Sequence, residues 1–124
     1  MNFYQCAHCG NLVLKLKDSG VPLVCCGQPM ILMEPGTADA SPEKHVPDIV
    51  YTNQVVQVQV GKTAHPMTPE HRIEWIVLET DRGYLIRMLN QPQPPAAFFK
   101  LAMHEHPLAV YAFCNLHGLW KQSL

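Results

Sequence analysis

The sequence predicts a mainly β protein, with a small metal-binding head followed by a β-sandwich or barrel. Three observations carry this. Four of the five cysteines, Cys6, Cys9, Cys25 and Cys26, fall within the first 26 residues. The remainder is a series of strand-length apolar runs separated by Pro, Gly, Asp and Asn. No stretch carries the period of an amphipathic helix, and eleven prolines suit a loop-rich β chain better than a helical one.

The head is expected over residues 1–36. Its strands are read in NLVLKLK, PLVCC and PMILM, joined by turns. So short a segment cannot stabilise itself by apolar burial and needs a metal or a disulfide. PGTADASP, Pro35 to Pro42, is small and turn-rich and reads as a linker. The body is expected over residues 37–124. In VVQVQV, Val56, Val58 and Val60 alternate with Gln57 and Gln59, the pattern of a strand with one face buried. HRIEWIVLET is apolar on both parities, as a central strand would be. YLIRML, AAFFKLAM and LAVYAFC follow, separated by DRG, NQPQPP and HEHP.

Composition narrows the function. In 124 residues, 9 Lys and Arg stand against 10 Asp and Glu, a net charge of −1. That weighs against a nucleic-acid binder, which carries a basic excess. No apolar run approaches the roughly 18 residues of a membrane span. MNFYQCAHCG has neither a basic nor an apolar leader region, so the expected compartment is the cytoplasm, where thiols stay reduced. An odd count of five cysteines there points to metal ligation.

Cys6-x-x-Cys9 is the usual half-site for a tetrahedral metal. The second half-site, Cys25-Cys26, has no spacer, so a distorted centre is expected. Four thiolates suit iron or structural zinc, and spacing does not separate the two. His8 reads as a solvated loop residue. The body offers a second set: Glu43-Lys44-His45, His65 with His71, and Cys114-x-x-His117, itself a chelating spacing. Cys114 shares parity with Leu108, Val110 and Ala112 and could equally be a buried apolar residue. His104 and His106 read as solvated. An electron-transfer protein and a structural zinc module both remain open on these residues.

Longer motifs add a resemblance. The sequence resembles the desulfoferrodoxins, the two-iron class of superoxide reductase. It does so through YQCAHCG, LVCCGQPM, EKHVP, AHPM, HRIEWI and YAFCNLHGLW, in family order from end to end. The resemblance implies a desulforedoxin-like head on an immunoglobulin-like β-sandwich, paired as a homodimer. It implies one iron on Cys6, Cys9, Cys25 and Cys26, with zinc as the alternative occupant. It implies a second iron with His45, His65, His71 and His117 as equatorial ligands and Cys114 as the axial one. The implied activity is one-electron reduction of superoxide to hydrogen peroxide, with electrons from an external donor such as rubredoxin. Lys44 would attract the superoxide anion, and Glu43 would take the sixth position in the resting ferric state. The backbone N–H groups of Asn115 and Leu116 are expected to donate to the Cys114 sulfur and tune its potential.

Overall fold

In the computed structural model, residues 2–36, 40–90 and 92–124 are described. The chain divides into two compact units, Met1–Glu34 and Pro35–Leu124. Of the expected linker, residues 37–39 lie outside the described residues, as does Gln91 of the NQPQPP loop.

The first unit contains β1 (Asn2–Gln5), β2 (Leu12–Lys15), β3 (Val24–Cys25), β4 (Gln28–Pro29) and β5 (Ile31–Leu32). β1 lies between β2 and β5 and pairs antiparallel with both. The strand expected over NLVLKLK keeps only its first half, because Lys15 turns to bond Asp18 and the carbonyl of Val21. Among the described residues of this unit only Phe3 and Cys6 are buried. So little apolar burial leaves the unit dependent on its sulfur cluster.

The second unit opens on one turn of helix, α1 (Pro42–His45), where none was expected. Ser41 precedes it and Pro42, with its φ already set, starts it. Seven strands follow: β6 (Pro47–Thr52), β7 (Val55–Val60), β8 (Ile73–Thr80), β9 (Gly83–Met88), β10 (Ala96–Lys100), β11 (Pro107–Cys114) and β12 (Gly118–Ser123). They form two antiparallel sheets, ordered β10-β7-β6 and β12-β11-β8-β9. The first, second and fifth strands of the unit thus share one sheet and the other four share the second, an immunoglobulin-like sandwich. Val56, Val58 and Val60 of β7, Phe99 of β10, Ile76 and Leu78 of β8 and Val110 and Ala112 of β11 fill the space between.

The expectation for β8 holds: it is the inner strand of its sheet and apolar on both parities. A bulge contributes to this. Phe113 pairs with Trp75, but Cys114 pairs with Ile73, so Glu74 is an extra residue on β8. The extra residue switches parity, and Ile73 joins Ile76 and Leu78 in the core. β1, β6 and β12 were not anticipated. β6 and β12 are edge strands, the first mostly exposed and the second exposed over its last three residues, so burial writes no clear alternation into their sequences.

Candidate metal centres

The head centre is built from two turns. The first follows β1, where Gly10 donates to the Cys6 carbonyl and Cys6 N–H donates to Asn11. This turns the N–H of Cys9 onto the Cys6 sulfur at 3.4 Å and the N–H of Asn11 onto the Cys9 sulfur at 3.5 Å. The second is the two-residue turn joining β3 to β4. Both turn residues are left-handed, Cys26 at φ 52° and Gly27 at φ 73°, the geometry of a type I′ hairpin. This answers the difficulty of adjacent cysteines. Cys25 stands on a strand and Cys26 on the turn, so the backbone rotation between them brings their sulfurs to 4.0 Å. The Cys9 and Cys25 sulfurs are 3.6 Å apart, and all four lie within 4.8 Å of one another. The N–H of Cys9, followed by that of His8, holds the Cys6 thiol down at about 6. Hydrogen bonding to Cys9 and then Cys6 pushes the Cys26 thiol up to about 12. His8 is exposed, as expected.

The second centre gathers residues from three loops at one end of the sandwich. α1 brings His45, the loop after β7 brings His65 and His71, and the β11–β12 hairpin brings Cys114 and His117. Donor atoms of His45, His65, His71 and Cys114 lie within 4.8 Å of one another. His117 joins them, its Nδ1 3.1 Å from His45 Nε2 and 3.7 Å from the Cys114 sulfur. The four rings form a cycle. Neighbouring centroids are 4.6 Å (His45–His65), 4.6 Å (His65–His71), 5.1 Å (His71–His117) and 4.9 Å (His117–His45) apart. The His45–His71 diagonal is 6.3 Å, and each ring meets its neighbours edge-on. Four imidazoles therefore stand at the corners of a square, with the fully buried Cys114 sulfur beside it.

The outward nitrogens fix the chemistry of the inward ones. His45 Nδ1–H donates to the Ser41 carbonyl and His65 Nδ1–H to the Pro66 carbonyl, each at 2.7 Å. A carbonyl only accepts, so both Nε2 atoms carry lone pairs, yet they face each other at 3.1 Å. His71 Nε2 is buried with no hydrogen-bond partner. Burial keeps these rings neutral: it lowers His45 and His71 and brings His65 down to about 4. Burial also raises the Cys114 thiol. Converging lone pairs with no proton between them, an orphaned imidazole nitrogen and a buried sulfur fit a transition-metal cation.

Surrounding residues that the sequence did not single out hold the square. Trp120 stacks on His45 at 4.8 Å, and its Nε1–H donates to the His117 carbonyl at 3.1 Å. Gly61, at φ +81°, lies where α1 crosses the end of β7, and a Cβ there would stand 2.6 Å from the Lys44 carbonyl oxygen. Lys44 and Glu43 are exposed on α1. The charge of Lys44 contributes to lowering both His45 and His71, so the ammonium lies close enough to be felt at the cluster. The Glu43 carboxylate accepts from the Thr63 hydroxyl at 3.5 Å and is not among the gathered donors. One expectation is corrected. Asn115 N–H donates to the Arg72 carbonyl, not to the Cys114 sulfur, because it continues the β11–β8 ladder. The donors that lower the Cys114 thiol are the N–H groups of Leu116 and His117. His104 and His106 are exposed, and His106 pairs with Asp81 at 3.0 Å.

A tetrathiolate cluster in a small β unit, and a histidine square with a buried cysteine on an immunoglobulin-like sandwich, define a non-haem metalloprotein with two centres. Comparison gives the family. The desulfoferrodoxin profile matches residues 37–123, and the desulfoferrodoxin N-terminal domain matches residues 1–33. The chain is 45% identical to a desulfoferrodoxin of Nitratidesulfovibrio vulgaris, over 95% of this chain and 92% of that one. It is 33% identical to a superoxide reductase of Pyrococcus horikoshii, over 71% and 91% of the two chains. The crystal structure of the superoxide reductase from Treponema pallidum superposes with a TM-score of 0.82 at 34% identity, over 98% of each chain. This chain belongs to the desulfoferrodoxin family. Its two clusters are consistent with that family's two iron centres.

Proposed function

We propose that this chain is a superoxide reductase. The observation that carries the reading is the square of four imidazoles beside a buried cysteine. His45, His65 and His71 would hold iron through Nε2, His117 through Nδ1 and Cys114 through its sulfur. Cys6, Cys9, Cys25 and Cys26 hold a second iron. Iron held in the square in the ferrous state would supply the one electron that, with two protons, turns superoxide into hydrogen peroxide. The loops of the sandwich hold the five donors together. Lys44, exposed next to His45 on α1, would draw superoxide in by its charge. Glu43, next to it on α1, would take the sixth position in the resting ferric state, a role that requires its carboxylate to leave the Thr63 hydroxyl. The N–H groups of Leu116 and His117 disperse negative charge on the Cys114 sulfur and so set how readily the electron leaves.

Domains over residues 1–36 and 37–124 carry the two centres. The spent electron has to be replaced from outside, by a donor such as a small iron–thiolate protein of the rubredoxin kind. We place the protein in the cytoplasm as a homodimer, a setting in which its five free thiols stay reduced. Product stoichiometry tests the activity. The iron-loaded, anaerobically reduced protein should yield one peroxide per superoxide consumed and no dioxygen. Half a peroxide with matching dioxygen would make it a dismutase.

A further inference from the structure

Asn115 touches none of the donor atoms, yet it makes three hydrogen bonds across the body centre. Its N–H donates to the Arg72 carbonyl at 3.1 Å. Its Oδ1 accepts from the Arg72 N–H at 2.8 Å. Its Nδ2–H donates to the Glu70 carbonyl at 2.9 Å. Arg72 and Glu70 flank His71, and Asn115 directly follows Cys114.

The ladder explains the arrangement. β11 pairs with β8 as far as Cys114 and Ile73, so the next rung would join Asn115 to Arg72. A regular rung exchanges two backbone bonds, N–H to carbonyl in each direction. Here one backbone bond is kept, and in the other the Asn115 side-chain carbonyl takes the place of its backbone carbonyl. The ladder gains a rung while the main chain is released to turn through Leu116 and His117 into Gly118, which is left-handed at φ 75°. Continuing the strand would carry His117 away from Cys114. Turning without the side-chain rung would leave the His71 loop tied to Asn115 by the single N–H bond to the Arg72 carbonyl.

We propose that Asn115 is the positioning residue that fixes His71 relative to Cys114 and His117, joining two of the three loops that form the square. The requirement is for an amide. Asp keeps the acceptor for Arg72 but sets a carboxylate oxygen against the Glu70 carbonyl. Ala removes both side-chain bonds.

This inference rests on the metal-site reading above, and the test separates the two. Apo protein, the full chain, is titrated with cobalt(II) against a competing chelator. The tetrathiolate absorption of the head serves as an internal standard, and the single-thiolate absorption of the body is the readout. Parent protein that shows no body band overturns the metal-site reading itself. With the parent band present, Asn115→Ala should weaken cobalt binding in the body by about tenfold or more and leave the head unchanged. Asn115→Asp should fall between parent and Ala. In proton spectra of the cobalt form, the shifted ring N–H signal of His71 should move while that of His45 stays. A general loss of structure would move both. Should Asn115→Ala fail to fold, Asn115→Asp decides. Parent-like affinity with an unmoved His71 signal, in either folded variant, overturns the proposal.

Discussion

His117 enters the square through Nδ1, whereas His45, His65 and His71 turn Nε2 inward. The difference follows from where each residue stands. His117 sits three residues after Cys114 in a tight hairpin, close enough that the nearer ring nitrogen meets the cluster. His45 and His65 approach from outside, and carbonyls behind them hold the far nitrogen. Residue types and the Cys-x-x-His spacing made these five legible in the sequence. The nitrogen each would use was not, because it depends on carbonyls of Ser41 and Pro66 that any residue could supply. Trp120 was visible only as part of a motif, since a stacking contact with a residue 75 positions away leaves no local pattern. Replacing it tests its two contacts. Trp120→Phe keeps a ring against His45 and loses the bond to the His117 carbonyl. Trp120→Ala loses both, and should weaken body-site metal binding about tenfold, with Phe recovering part. Chelator competition measures each. Lys44→Ala should slow the reaction with superoxide roughly tenfold at low salt and flatten its salt dependence, read by rapid mixing.

Among the elements, strands with a long apolar run or a clear alternation declared themselves, the edge strands β9 and β10 included, whereas β1, β6 and β12 did not. β7 and β8 carried their burial in plain alternation and in apolar runs, whereas β6 exposes four of its six residues and β12 three of six, with no alternation. α1 is too short to show a period. Its placement depends on Gly61, because a Cβ there would also stand 2.4 Å from the Thr63 carbonyl oxygen. Gly61→Ala should cost more than about 1 kcal/mol of body stability, measured by thermal unfolding. It should also displace His45 and lower metal affinity.

At the hairpin between β8 and β9, a latch gathers carboxylates. His106 donates its N–H and its Nδ1–H to Asp81, and Glu105 accepts from the Thr80 hydroxyl at 2.6 Å and from the Ala102 N–H. These donors hold both carboxyls below their ordinary values, Asp81 through His106 first and Glu105 through Thr80 first. A depressed folded value means the stabilisation is present above the unfolded values of 3.8 and 4.5 and is lost as pH falls through the folded ones. The melting temperature should therefore decline as pH drops below about 4.5. Asp81→Asn with Glu105→Gln should shallow that decline.

For the molecule as a whole, the two units differ in what stabilises them. The sandwich has a continuous core spanning both sheets, whereas the head buries only Phe3 and Cys6 among its described residues. Chelation should therefore unfold the head and leave the sandwich standing. Calorimetry of loaded protein should show two transitions, the lower one lost in Cys9→Ser. Turnover with a protein donor in the same variant reports on relay: an unchanged rate makes the head iron structural.

The hairpin that carries Cys114 and His117 also sets an order in time. All four head sulfurs have been synthesised once Cys26 is added, but the square is incomplete until His117, 91 residues later. At about 5–20 residues per second, this interval is roughly 5–20 s. During synthesis the head can capture an ion while the body has nowhere to hold one. On that order alone, a chain made where iron is scarce should load its thiolates before its histidine square.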